Sequence, residues 1–457
     1  MQEMKILSPT GILGYGFPES SFKKGLLQKP DLIAVDAGST DPGPYYLGSG
    51  HPFTTRTAVK RDLTLLLDAA CGSGISLIIG SAGGSGGSPH LERDKDIIFE
   101  IARERKLTFK LATISAELEK DHLLWALQEG KIKPLGAAPA ITQADIKESS
   151  RIVAQMGLEP IMSALDDGAQ VVLCGRCYDP AVFAAPAVRA GFDHALAIHL
   201  GKILECAAIA AVPGSGSDCM MGILAEDHFR IEPISAERRC TVESVAAHTL
   251  YEKSNPYLLP GPGGVLDLRS CEFTQYTERC VKVTGSKYIP DQQPTVKLEG
   301  ARRIGYRTIS IAGNRDPIFI SQIDPILAGV RQRVADNLSG ASINYQLDFI
   351  IYGKNGVMGE LEPGIKNVAH EIGLVIDVVA ETQEMADTVC AVARSTLLHY
   401  GYDGRLATAG NLAFPYSPSD LKVGEVYNFS VYGLLEIEDL HDGFPIRHYD
   451  LNGGELQ

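Results

Sequence analysis

ISLIIGSAGGSGGSPH (75–90) passes without a break from a short apolar run into a tract of glycine and serine. A continuously apolar run of this length, flanked by turn residues, reads as a strand buried on both faces. Outward from it the pattern repeats. DLIAVDAGST (31–40), LTFKLATISAEL (107–118) and QVVLCGRCYDP (170–180) are further apolar runs that end in polar loops. Amphipathic stretches separate them: RDLTLLLDAACGSG (61–74), LERDKDIIFEIARERK (91–106), DHLLWALQEGK (121–131) and DIKESSRIVAQMGLEPIMSALDDG (145–168), the last broken near Pro160. Buried strands alternating with helices predict an α/β fold whose amino-terminal part is a mainly parallel sheet flanked by helices.

The second half changes character. FTQYTERCVKVTGSKY, PTVKLEG and RTISIAG alternate apolar and polar residues between turn signals, as antiparallel strands do. DPILAGVRQRVADNLSG (324–340) and QEMADTVCAVARSTLLHY (383–400) read as helices, while YQLDFIIYGKNG, IGLVIDVVAET and VYNFSVYGLLEIEDL read as strands. This predicts a second, α+β domain with antiparallel strands. PGSGSD breaks the helical run near 215–240, so the expected division is 1–225 and 226–457.

The bulk properties exclude several functions. The chain has 457 residues, 45% hydrophobic and 21% charged, enough apolar side chain for substantial cores. Lys+Arg is 42 and Asp+Glu 56, a net charge of −14, with no basic run of five. Nucleic acid and anionic membranes are therefore poor partners. Nine cysteines, an odd number without disulfide-framework spacing, suit a reducing compartment. With no apolar signal segment at the amino terminus and no apolar stretch of about 18 residues, a cytoplasmic location is expected.

In parallel sheets the site lies outside the carboxyl ends of the strands. There the sequence places Asp36, Ser39 and Asp41, then the Ser81–Ser88 loop, then Arg176 and Asp179. The loop suits an anion, with Ser81, Gly83, Gly84, Ser85 and Gly86 as candidate substrate contacts and a helix start behind them. It is neither a Walker A loop nor a G-x-G-x-x-G fingerprint, because Pro89 stands where the third glycine belongs. Asp36 and Asp41 suit either a hard cation and proton transfer or plain turn capping. Arg176 offers a guanidinium fork for a substrate carboxylate, with Ser39 as a further contact and Asp36, Asp41 and Asp179 as catalytic candidates. CGRC (174–177) has redox-pair spacing, but zinc needs about two more ligands than the sequence offers nearby. His194 and His199, five apart, do not share a helical face. Trp125 is expected in the core.

GRCYDPAVFAAPAVRAGFD (175–193), HLGKILECAA (199–208) and CTVESVAAHTLYEKSNPYLLPGPGGVLDL (240–268) resemble segments of the acyclic terpene utilisation (AtuA-like) family. YGKNGVMGELEP (352–363) and RLATAGNLAFPYSPSDL (405–421) are similar to a subgroup of it. The likeness spreads over residues 30–435. It implies a catabolic enzyme and a small companion protein of about a hundred residues, and it does not require cysteine at 174 or 177.

Together these readings favour an oligomeric lyase of the hydratase/dehydratase type. Its substrate is a small carboxylate or the corresponding acyl-CoA thioester. A divalent cation, Mg2+ or Mn2+, is an open expectation for stabilising the enolate. Two alternatives remain: a substrate-binding subunit active only with the companion, and a dithiol oxidoreductase resting on CGRC.

Overall fold

The computed structural model describes residues 3–251, 253–340, 344–364 and 369–457. The chain forms two compact units, Met1–Arg302 with Phe429–Gln457, and Arg303–Asn428.

The first unit is built on an eleven-stranded sheet. Five of its strands are parallel and lie side by side: Met4–Ser8, Leu32–Asp36, Ser76–Gly80, Val171–Cys174 and Phe109–Ile114. Leu32, Ile33, Leu77, Ile78, Val171 and Val172 are fully buried, as strands covered on both faces require. Helices such as Arg56–Ser73, Ser88–Arg105 and Ala181–Arg189 connect and cover them. The fold is thus the expected α/β arrangement, with antiparallel sheets later in the chain.

The sheet does not stop at residue 225. Met220–Leu224 pairs antiparallel with Met4–Ser8, and Phe229–Pro233 pairs in turn with Met220–Leu224. Val281–Thr284 and Glu272–Gln275 extend the same edge. At the other edge Ile446–Asn452 pairs antiparallel with Phe109–Ile114. Backbone pairing across 225 therefore keeps both sides in one unit, and the compact units divide elsewhere than 1–225 and 226–457.

Two stretches differ from their sequence reading. Residues 145–168 are not one broken helix: Gln143–Glu148 and Glu159–Asp166 are helical, but Arg151–Ala154 is a strand. It pairs antiparallel with residues 298–301 of the twenty-residue strand Thr295–Asn314, which joins the two segments read separately as PTVKLEG and RTISIAG. Trp125 is 47% exposed, with the Lys131 ammonium 4.9 Å from its ring centre, a solvated cation–π contact in place of core packing.

In the second unit Tyr345–Tyr352, Ile372–Ala380 and residues 306–314 form antiparallel pairs. The helices Ile323–Leu338 and Gln383–Leu398 share a core with them through Val330, Val334, Val389 and Ala393. Among the described residues, no helix is long and apolar enough to cross a membrane.

Candidate active site

Strand order places Val171–Cys174 between Ser76–Gly80 and Phe109–Ile114, so the loops that follow residues 80 and 174 emerge side by side. They interlock. The Ala82 amide donates to the Cys174 carbonyl (2.9 Å), and the Arg176 amide donates to the Gly86 carbonyl (3.1 Å). Gly86 has φ +66°, and a β-carbon on it would stand 2.1 Å from the Arg176 nitrogen. The glycine here permits a backbone-to-backbone approach that no side chain allows.

The consequence is that residues 81–87 are buried. The Gly83 amide donates to Asp94 Oδ2 (2.8 Å), Gly84 packs against Phe53, and the Ser85 hydroxyl is buried without a hydrogen-bond partner. Of the five loop candidates, only Ser81 reaches the other candidate residues through its side chain. Its hydroxyl accepts from Arg176 Nη1 (3.2 Å) and from the Cys177 amide (3.3 Å).

Arg176 is only 2% exposed. Its Nε donates to Glu299 Oε2 (2.7 Å), and its Nη1 donates to Asp179 Oδ1 (2.8 Å) and to the Cys177 carbonyl (2.7 Å). Glu299, on the long strand Thr295–Asn314, also accepts from Thr40 Oγ1 (2.9 Å) and from Lys297 Nζ (2.7 Å). Burial pushes the Glu299 carboxyl up, but Arg176 and Lys297 outweigh it and hold the group at about 2. Burial likewise opposes the charges of Arg176 and Lys297, and Glu299 more than compensates, with Asp179 for Arg176 and Tyr432 for Lys297.

Asp36 ends its strand opposite Gly80. Its Oδ2 accepts from the Gly38 amide (3.0 Å), while its Oδ1 is buried without a hydrogen-bond partner. Burial raises its pKa well above the usual carboxylate range, and the charge of Asp179 adds to the shift. Ser39 accepts from the Asp41 amide (3.1 Å). Asp41 is exposed.

Above this network opens a small polar pocket of about 50 Å³. Asp41, Arg176 and Asp179 line it, as do Gln155, Lys202, Glu205, Lys253 and Lys297, which sequence reasoning missed. Lys202 Nζ lies 2.6 Å from Glu205 Oε1. The available signal for that pair was a lysine and a glutamate three apart at the end of an otherwise apolar helix, His194–Leu204. Lys297 and Glu299 gave no such signal, because they reach the site from a strand more than a hundred residues farther along the chain.

A second cleft, of about 980 Å³, lies on the other side of the paired strands. Ala154 and Val296 face it, whereas their neighbours Gln155 and Lys297 face the small pocket, in keeping with strand alternation.

Cys174 and Cys177 are buried free thiols. A hydrogen bond between them lowers the pKa of Cys177, against burial, and raises that of Cys174. Among the described residues, no three His, Cys, Asp or Glu side chains are grouped so as to hold a metal ion.

A family model described as acyclic terpene utilisation family protein AtuA matches residues 56–215 and 229–414. The chain belongs to this family. The matched stretches take in Arg176, Asp179, Lys202, Glu205, Lys297 and Glu299, and leave out Asp36 and Asp41. No curated protein matches the chain, and no solved structure does.

Proposed function

We propose that the protein is a lyase of the hydratase/dehydratase type acting on a small organic acid or its acyl-CoA thioester. One observation carries the reading. A single polar pocket at the carboxyl ends of parallel strands brings Asp41, Asp179 and Glu205 together with three lysines and Arg176, above a buried aspartic acid. Elimination beside a carboxylate needs a base for the α-proton, a cation for the developing enolate and an acid for the departing hydroxyl. Lys253 and Lys297 line the pocket and suit the substrate carboxylate, Lys297 with the ammonium donors not used on Glu299, whereas the Nε and Nη1 groups of Arg176 are committed to Glu299 and Asp179. Asp179, only partly buried, lines the pocket wall beside Arg176 and suits proton relay there. Asp36, whose burial strengthens its hold on a proton, suits the donor role, with Asp41 at the rim. A family described by terpene utilisation supports a catabolic setting, and nine free thiols suit the cytoplasm.

The test is Asp36→Asn, assayed with hydroxy acids and their CoA thioesters. Asparagine imitates the neutral carboxyl, so folding should be kept and turnover should fall by roughly 100-fold or more, the usual scale for removing a positioned acid. Unchanged turnover would remove Asp36 from the reaction. Turnover that appears only when a small companion protein is added would make the chain a binding subunit.

A further inference from the structure

We propose that Lys202 and Glu205 form the enolising pair of this pocket: Glu205 takes the proton from the carbon beside the substrate carbonyl, and Lys202 holds the oxygen on which charge develops. The inference rests on the lyase reading above and names residues for its first step.

Lysine and glutamate are almost never fully buried unless paired. Lys202 is 2% exposed and Glu205 7%, yet both line the pocket. Taking such a pair out of water is costly, and apolar residues of similar volume generally serve stability as well or better. Apart from His199, hydrogen-bonded to Ser286 and Thr249, the helix that carries Lys202 buries alanine, leucine, isoleucine and one glycine, so a charge is foreign to its packing. Its approach is set by Gly201, where a β-carbon would stand 2.5 Å from the Pro180 carbonyl oxygen. That contact brings the helix end onto the 178–180 turn, beside Asp179. Glu205 is near enough to Asp36 for its charge to add to the raised affinity of that group for a proton.

The other strong ion pairs of the site are arranged differently. Arg176 and Lys297 both converge on Glu299, whose side chain is fully buried behind the pocket. Lys202 and Glu205 instead present an ammonium and a carboxylate to the same small space. In the step proposed, the Cα–H bond breaks and its electron pair becomes the enolate C=C bond. The carbonyl π pair moves to oxygen, where the Lys202 ammonium meets it, and the proton goes to Glu205. The C–O bond at the β-carbon then breaks as the C=C bond settles between the α- and β-carbons. The hydroxyl leaves as water with the proton of Asp36, and transfer of the Glu205 proton to Asp36 restores the protein.

The experiment follows exchange of the α-proton in D2O by NMR, with 3-hydroxybutyrate and its CoA thioester as probes, alongside water loss from the same probes. Wild type is expected to exchange, and Glu205→Gln to exchange at least about 100-fold more slowly. A double variant, Lys202→Met with Glu205→Leu, guards against misfolding. It should unfold within roughly 5 °C of wild type, since apolar groups replace the pair without stranding a charge, and should show no exchange. Wild-type exchange rates in Glu205→Gln or in the double variant would make the pair structural and overturn this inference alone. Wild type that neither exchanges nor dehydrates either probe would overturn the lyase reading and this inference with it.

Discussion

Arg176→Ala is expected to destabilise the protein by roughly 3 kcal/mol, near the lower end of the range for breaking a buried ion pair. The guanidinium is the hub of the site. It spans Glu299 on the long strand and Asp179 in the following turn, and it donates to the Ser81 hydroxyl and the Cys177 carbonyl as well. Its removal leaves the Glu299 carboxylate, which is fully shielded from solvent, with only Lys297 and Thr40. Those two remaining partners keep the cost from reaching the upper end. Lysine at 176 should recover a minor part, because one ammonium cannot reproduce a planar fork aimed at two carboxylates. Denaturant unfolding measures the loss. A change below about 1 kcal/mol would mean that Glu299 is not held as described.

Gly86→Ala should cost at least about 3 kcal/mol or prevent folding, a larger effect than its single methyl suggests. The added β-carbon meets backbone on the facing segment, 2.1 Å from the Arg176 nitrogen and 2.5 Å from its Cα, so no side-chain rotation relieves it. The φ of +66° adds strain for any residue with a β-carbon. Ser85→Ala is the matched control. That hydroxyl is buried without a partner, so its removal should be neutral or mildly stabilising. Comparable melting temperatures for the two variants would contradict the interlocked loops.

These residues show why the sequence was informative in some places and silent in others. The parallel strands were legible because burial on both faces writes a continuous apolar run into the chain, as at 32–36 and 76–80. Strand-end logic then singled out Asp36, Asp41, Arg176 and Asp179, since each follows such a run, and Asp41, Arg176 and Asp179 line one pocket. It did not find that Arg176 is internally neutralised, because Glu299 lies 123 residues away and belongs to another sheet. Arg151–Ala154 was hidden for the same reason: a four-residue strand is decided by its partner at 298–301, and its local composition fits a helix as well. The glycine–serine tract illustrates the reverse error. Its composition matches that of an open anion cradle, but the same glycines serve to bring two buried loops into contact.

The unpartnered oxygen of Asp36 has one more consequence, in the protein's proton inventory. The folded state holds a proton there that the unfolded chain releases in the ordinary carboxylate range. Asp94, buried against Arg93 and raised to about 6, does the same. Between pH about 4 and 6 these two groups therefore bind more protons in the native state than in the unfolded one, and they make stability fall as pH rises. Glu299, held at about 2, has the opposite sign, and its contribution is lost only as pH falls toward that value. Burial of His199, which holds its pKa at about 3, likewise makes stability rise with pH up to the ordinary histidine range. The unfolding free energy of wild type minus that of an Asp36→Asn, Asp94→Asn double variant should decline as pH rises from 4 toward 6, and a difference independent of pH would show that Asp36 and Asp94 are charged in the native fold.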